Sequence, residues 1–350
     1  MKNRCFLLTF RGLGGIMNPN GRGCFPLPHL KNTGEEMMKL SVQSQNLVAE
    51  YGMEKAYRMI REAGFEAIDW NIDHAWSFKD VCASTTFEGL CIFEKSLPEI
   101  MEHYAAELEA IRRNGLTIGQ AHAPFGCYIH TNPGVLEYAI RIYQNVIRFC
   151  EAVGCPYVVI HGITKTEAMD DLTLADVEAL NMHLYESLIP VLQETNGVTV
   201  CLENLFCGAR RLGGVDYWEG CCSNPYQAAE WVDRLNAKAG KTCFGFCLDT
   251  GHLNLLRKPF HSFVPIVADR ICILHVQDNS QSGDSHLMPY AGTIHWDEFL
   301  KEMKAIGYHG NVNFETFAQV KKARLPEALV PTFLRAIAEI GAYFRKELQG

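Results

Sequence analysis

Four residues of the kind that bind metal ions stand at the ends of short apolar runs in the second half of this 350-residue chain: Glu203 in VTVCLEN, Asp249 in FGFCLDTGH, His275 in ICILHVQD and Glu315 in NVNFET. His252 follows Asp249 by three residues. Two Glu, one Asp and one His form a donor set for Mn, Mg, Co or Zn, the oxygens favouring the harder ions. Carboxylates that converge need a cation: at an effective dielectric of about 20, two unit charges about 4 Å apart repel by roughly 4 kcal/mol. The competing reading for any one of the four is an ordinary strand-end residue that caps a helix or pairs with an Arg. Its recurrence in the same register in all four segments sets that reading aside.

Runs of this length and character are those of strands buried on both faces, and each is followed by a helical pattern. Strand signals fall near 39–43, 66–70, 116–121, 157–161, 198–203, 244–249, 271–276 and 311–315. Helical patterns follow them over 53–63, 97–113, 135–153, 174–193, 225–235, 259–267, 296–306 and 326–347. Eight strand-helix units predict an α/β fold, a single (β/α)8 TIM barrel over residues 38–350. In such a barrel the carboxyl ends of the strands share one mouth, where the active site is built, so residues far apart in the chain meet there. Gly punctuates the turns back to the strands in EAGF, RNGL, AVGC and AIGY, as a left-handed helix cap requires. Two loops at the mouth are long, after strand two (71–97) and after strand five (204–224), and long loops there serve as lids or substrate walls. The second carries Arg210, Arg211, Tyr217 and Trp218; its basic pair reads either as a phosphate or carboxylate clamp or as solvated surface.

Composition bounds the function. The chain is 48% apolar and 21% charged, enough for a large core, and its net charge is −8 with no basic stripe. That balance argues against a nucleic-acid partner. The 14 Cys lack zinc-ribbon spacings, and several lie inside strand signals, where a free thiol packs as a small hydrophobe. A reducing cytoplasm is the expected location. No segment has the roughly 18 consecutive apolar residues of a membrane span. Residues 1–37 show no periodicity and read as a disordered extension ahead of the barrel, with the true start further in.

More polar residues fall at the mouth once this register is set: His122 in QAHAPF after strand three, His161 in VVIHG after strand four, and Asp284 and His286 in DSHLMPYAGTIHW. The order HAP, IHG, LEN, LDTGH, LHVQD, D-x-H-L-x-P with G-T-I-x-W, and FET resembles the xylose-isomerase-like TIM-barrel superfamily over residues 39 to 348. Its members include sugar phosphate isomerases and epimerases, ketose 3-epimerases, inosose isomerases and dehydratases, and endonuclease IV.

The resemblance implies that Glu203, Asp249, His275 and Glu315 hold one divalent metal ion, and that Glu203 and Glu315 are an acid/base pair across the substrate. His252 matches a residue that binds a substrate oxygen, and His122, His161, Asp284 and His286 complete the candidate substrate-binding set with Arg210 and Arg211. The implied partner is a small sugar, sugar phosphate or cyclitol, isomerised or epimerised through a metal-stabilised enediolate. VQDNSQSGDS contains no Arg, unlike the ketose 3-epimerases after their ligand His. Loss of a β-hydroxyl or of a carbon-linked aglycone from the same enediolate would make the enzyme a lyase. The nine mouth residues also match the trinuclear zinc ligands of endonuclease IV, although the acidic charge supplies no grip on DNA. A non-catalytic binding barrel would be expected to have lost some of these ligands. Self-association into a homo-oligomer stays open.

Overall fold

The computed structural model describes residues 38–350 apart from Leu212, Gly213, Phe317, Ala318 and Lys322. The expected N-terminal extension, 1–37, lies outside the described residues. The strands are β1 (Leu40–Gln43), β2 (Ala67–Asn71), β3 (Thr117–His122), β4 (Tyr157–Val159), β5 (Thr199–Glu203), β6 (Phe206–Arg211), β7 (Gly214–Glu219), β8 (Phe244–Asp249), β9 (Ile271–His275) and β10 (Val312–Phe314). Eight of them pair in parallel in the order β10-β1-β2-β3-β4-β5-β8-β9, and a parallel bridge from Val276 to Phe314 joins the two ends of that series. The eight strands predicted from the sequence are all present, within two residues at each end.

Strand alternation divides the barrel into an inside and an outside. On β2, Trp70 faces the helices and packs against Tyr104 and Phe149 at ring distances of 5.3 and 5.6 Å, whereas its neighbour Asp69 hydrogen-bonds inside the barrel to residues of β3 and β10. Val159, Cys201, Cys247 and Ile273 form a small apolar cluster of their own on β4, β5, β8 and β9. Two residues further along three of those strands come Glu203, Asp249 and His275. Period two thus puts an apolar plug below and polar groups at the mouth. The other half of the interior is polar throughout: Ser41, Asp69, Gln120 and Asn313 are each no more than 1% exposed.

The helices bury one stripe each. Gly134–Val153 buries Leu136, Ala139, Ile140, Tyr143, Val146, Ile147 and Cys150 and ends at Gly154, whose φ of 72° is left-handed. Each large apolar side chain so buried contributes about 1.5–3 kcal/mol.

Three elements differ from the sequence reading. The single helix expected over 174–193 is two, Leu174–Glu186 and Ile189–Glu194. Pro190 explains the break, because its ring would clash with the carbonyl four residues back, at Glu186. The long segment after β5 is not irregular: β6 and β7 pair antiparallel from Phe206↔Glu219 to Arg211↔Gly214. A short helix, Thr250–Leu255, also follows β8 directly and carries His252. Among the described residues no helix is long and apolar enough to cross a membrane, and the described cysteines are free thiols.

Candidate metal centre

His275 lies at the centre of the mouth, at 0% exposure. Its Nδ1 stands 3.3 Å from Glu203 Oε1 and 3.7 Å from Glu315 Oε1, so the two glutamates flank one ring nitrogen. Both are nearly buried, at 2% and 4% exposure. Neither ring nitrogen of His275 has a hydrogen-bond partner, and Glu203 Oε2 has none either. Unpaired buried polar atoms are costly, by about 1–3 kcal/mol each. Donors bonded at about 2.1 Å to one ion sit about 3–3.5 Å apart, so the spacing, the chemistry and the missing partners all fit a divalent cation.

The predicted four ligands do not gather into one tight group among the described residues. Glu315 lies with Asp69, His122 and His275, and Asp249 with Glu203 and His252, each set within 4.8 Å; Glu203 also meets His275 in a third group with Cys247. Local structure accounts for the offset of Asp249. Its Oδ1 accepts from the backbone N–H of His252 at 2.7 Å, capping the helix Thr250–Leu255. Helix capping, the competing reading from the sequence, is therefore one of the tasks of Asp249. A Cβ at Gly251 would meet the end of the Gln277 side chain, so glycine is what leaves Gln277 in its place against Asp249 and Asp284.

The remaining candidates join the same network. His161 Nε2 stands 2.9 Å from Glu203 Oε2, out of line for a hydrogen bond, and its ring stacks on Phe125 at 4.5 Å. His122 Nε2 faces Glu315 Oε1 at 3.2 Å. His252 Nδ1 is 3.2 Å from Glu203 Oε1, and its Nε2 is 3.7 Å from Asp284 Oδ2. Asp284 in turn contacts His286 Nε2 at 2.9 Å. His286 has a positive φ of 46°, a conformation that costs a non-glycine residue energy and is kept by its surroundings. Its Nδ1 donates to the Glu315 carbonyl at 3.0 Å. Arg210 is exposed on β6, and the side chain of Arg211 lies outside the described residues.

Charge in this dry space is distributed unevenly. Burial works against ionisation of Glu203, but His275 and His161 outweigh it and hold the carboxyl well below the usual range. Glu315 is likewise brought down to about 2, against burial, by His275, His122 and His286. Asp249 goes the other way: burial, aided by Glu203 and Glu315 and opposed by His252, pushes it up to about 7. For His286 burial is outweighed by Asp284, and the ring rises to about 9. A carboxyl raised this far beside two ionised ones is an environment that a bound cation relieves.

Several residues of this site have no counterpart in the sequence reading. Asp69 accepts from His122 Nδ1 at 2.9 Å, Gln120 Nε2 at 3.0 Å and Asn313 Nδ2 at 2.9 Å. Gln277 Nε2 donates to Asp284 Oδ1 at 2.7 Å and lies 3.4 Å from both Asp249 oxygens, linking the two acids. Asn204 brackets the end of β8, accepting from Asp249 N and donating to Asp249 O, each at 2.9 Å. The available signal was strand parity: Asn313 lies two before Glu315, Gln120 two before His122 and Gln277 two after His275.

The sequence profile of the xylose isomerase-like TIM barrel family matches residues 57–337. The uncharacterized protein y4fM of Sinorhizobium fredii (strain NBRC 101917 / NGR234) is 27% identical over 274 residues, 76% of this chain and 81% of the relative. Among solved structures, D-psicose 3-epimerase in the presence of D-fructose superposes with a TM-score of 0.61 at 16% identity, covering 89% of this chain and 100% of that one. The IOLI protein with a binding zinc atom gives a TM-score of 0.61 at 17% identity, over 88% of this chain and 98% of that one. At these identities the structural likeness shows the fold.

Proposed function

The chain belongs to the xylose isomerase-like TIM barrel family, and from that premise we propose that it is a divalent-metal-dependent isomerase or epimerase of a sugar, sugar phosphate or cyclitol. One observation carries the reading: two buried glutamates from strands three places apart in the ring flank a ring nitrogen of His275 that has no other partner. Glu203, Asp249, His275 and Glu315 would hold the ion. When bound, it supplies Lewis-acid stabilisation of the negative charge that develops on a substrate oxygen as the adjacent C–H is deprotonated.

The chain's own residues do the rest. Glu203 and Glu315 come from strands three places apart in the ring, so a sugar between them presents opposite faces to the two carboxylates. One glutamate removes the carbon-bound proton; the other delivers a proton to the opposite face for epimerisation, or the first returns it to the neighbouring carbon for isomerisation. His252, Asp284, His286 and His161 offer hydrogen bonds to hydroxyl groups. Phe125 against His161 and Phe206 against His252, at ring distances of 4.5 and 4.9 Å, supply apolar walls that keep water from the reacting carbon. Arg210 and Arg211, on the hairpin, are the candidate grip for a phosphorylated substrate. Replacing both by Ala then raises KM for the phosphorylated form selectively.

The test is solvent exchange: a panel of ketoses, ketose phosphates and inososes incubated in D2O with added Mn, read by mass spectrometry. Uptake of one deuteron by a panel member, lost in Glu203→Gln, is the expected result. A panel without uptake, or uptake undiminished in the variant, contradicts the proposal.

A second reading has its own observation. His122, His161 and Glu203 also converge within 4.8 Å, and Asp284 lies beside both His252 and His286. That arrangement favours three zinc ions and phosphodiester hydrolysis of the endonuclease IV kind, and metal stoichiometry separates the two.

A further inference from the structure

The imidazoles of His122 and His275 lie face to face inside the barrel, with centroids 4.5 Å apart and planes 25° from parallel. Each ring presents one nitrogen to the acidic groups of the mouth. His122 Nε2 faces Glu315 at 3.2 Å, and His275 Nδ1 faces Glu203 at 3.3 Å. The opposite nitrogens of both rings face a single carboxylate, that of Asp69: His122 Nδ1 is 2.9 Å from Oδ1, and His275 Nε2 is 3.8 Å from Oδ2. Asp69 is at 0% exposure on β2, three places from β9 by way of β1 and β10, so only closure of the barrel brings it to His275.

Two amides hold Asp69 in place, Gln120 Nε2 and Asn313 Nδ2, both donating to Oδ2. Two amide hydrogens on Oδ2 mark Asp69 as an acceptor, so the hydrogen in its 2.9 Å contact with His122 belongs to Nδ1. That leaves the lone pair of a neutral His122 on Nε2, toward the mouth. For His275 the 3.8 Å gap is too long for a hydrogen bond, and Glu203 and Glu315 stand closer to Nδ1 than Asp69 does to Nε2, so it is a cation held between the two glutamates that would leave the ring hydrogen on Nε2, toward Asp69. The lone pair is then on Nδ1, between the two glutamates, where a metal ligand needs it.

We propose that Asp69 is a positioning residue that sets the tautomer of His122 and, in the metal-loaded protein, faces the hydrogen of His275 as well, so that the lone pairs of both stacked rings point toward the metal centre. The His275 half of this proposal rests on the reading of the site given above; the His122 half does not. Asp69→Asn is the informative variant because it keeps the shape and removes the charge. The site can accept it: Asn313 Oδ1 has no partner, so rotation of that amide offers an acceptor to the new NH2 group.

The experiment combines nitrogen NMR of protein labelled at histidine, recorded above the pH at which the rings lose their second proton, with zinc titration by calorimetry. Wild-type resonances are expected for hydrogen on His122 Nδ1 with or without metal and on His275 Nε2 once zinc is bound, with a mixture of His122 tautomers in Asp69→Asn. The variant's zinc affinity is expected to fall about 10–100-fold, with its unfolding midpoint near that of wild type. A wild-type His122 ring with its hydrogen on Nε2 overturns the proposal, and this measurement needs no variant to fold. Zinc affinity in Asp69→Asn within twofold of wild type overturns it as well. Wild-type protein that fails to bind zinc counts against the metal reading, and the tautomer result alone then decides the role of Asp69.

Discussion

Glu203 and Glu315 are nearly isosteric with glutamine, so replacing either tests charge and proton transfer with little change in packing. Each substitution is expected to lower solvent deuterium uptake about 10²–10⁴-fold, the range for loss of a positioned acid or base. Circular dichroism should remain that of wild type, and full exchange in either variant would remove the two-carboxylate mechanism. These residues were legible in the sequence because each ends an apolar run, where strand geometry leaves few places for a side chain to go. Asp69 was not legible. It sits inside the run AIDWN, where a charge reads only as an interruption; its partners Gln120 and His122 come from the adjacent strand β3, and Asn313 from β10, which reaches it only because the last barrel strand pairs with the first.

At the scale of elements, alternation and helical period located the eight barrel strands, because burial imposes those patterns. The hairpin β6–β7 escaped for the same reason. Its β7 residues are exposed or half-buried, so no apolar alternation marks them. Phe206 on β6 nonetheless touches the ring of His252, and Lys258 pairs with Glu219 on β7. If the hairpin walls the substrate, Phe206→Ala should raise KM several-fold with less effect on kcat, as steady-state kinetics on the substrate found by exchange will show. The loop after β2 has an anchor of its own. Glu94 accepts from the backbone N–H groups of Gly89, Leu90 and Cys91 and from the Tyr138 hydroxyl, at 2.7 to 3.0 Å. Burial works to raise this carboxyl, but the Tyr138 and backbone hydrogen bonds hold it below its ordinary value. A lowered folded-state pKa contributes stability that is full above the ordinary carboxylate range and lost as pH falls through the lowered value. Glu94→Gln is therefore expected to cost about 1 kcal/mol near neutrality, a figure reduced for solvent screening. In paired denaturant titrations that gap should narrow as the pH is taken down toward about 4. A gap that widens on acidification would contradict the assignment.

For the whole molecule, the interior has two halves with different tasks. The apolar plug of Val159, Cys201, Cys247 and Ile273 supports one side of the mouth, and the polar half around Asp69 orients the histidines on the other. Fold class followed from counting strand-helix units. The interior polar lattice did not, because it depends on closure of the ring, which no local window contains. A cation bound across the mouth ties β5, β9 and β10 together, so its removal should destabilise the entire barrel. At a free metal concentration about 100 times Kd, binding contributes about 2.7 kcal/mol. A chelator should lower Tm accordingly, and added Mn or Zn should restore it. Elemental mass spectrometry of protein purified without chelators decides whether this mouth is a metal centre with one ion per chain. About one Mn, Co, Mg or Zn per chain is the predicted result; close to three Zn would transfer the site to the phosphodiesterase reading, and protein that retains no metal even after incubation with Mn or Zn would contradict the account.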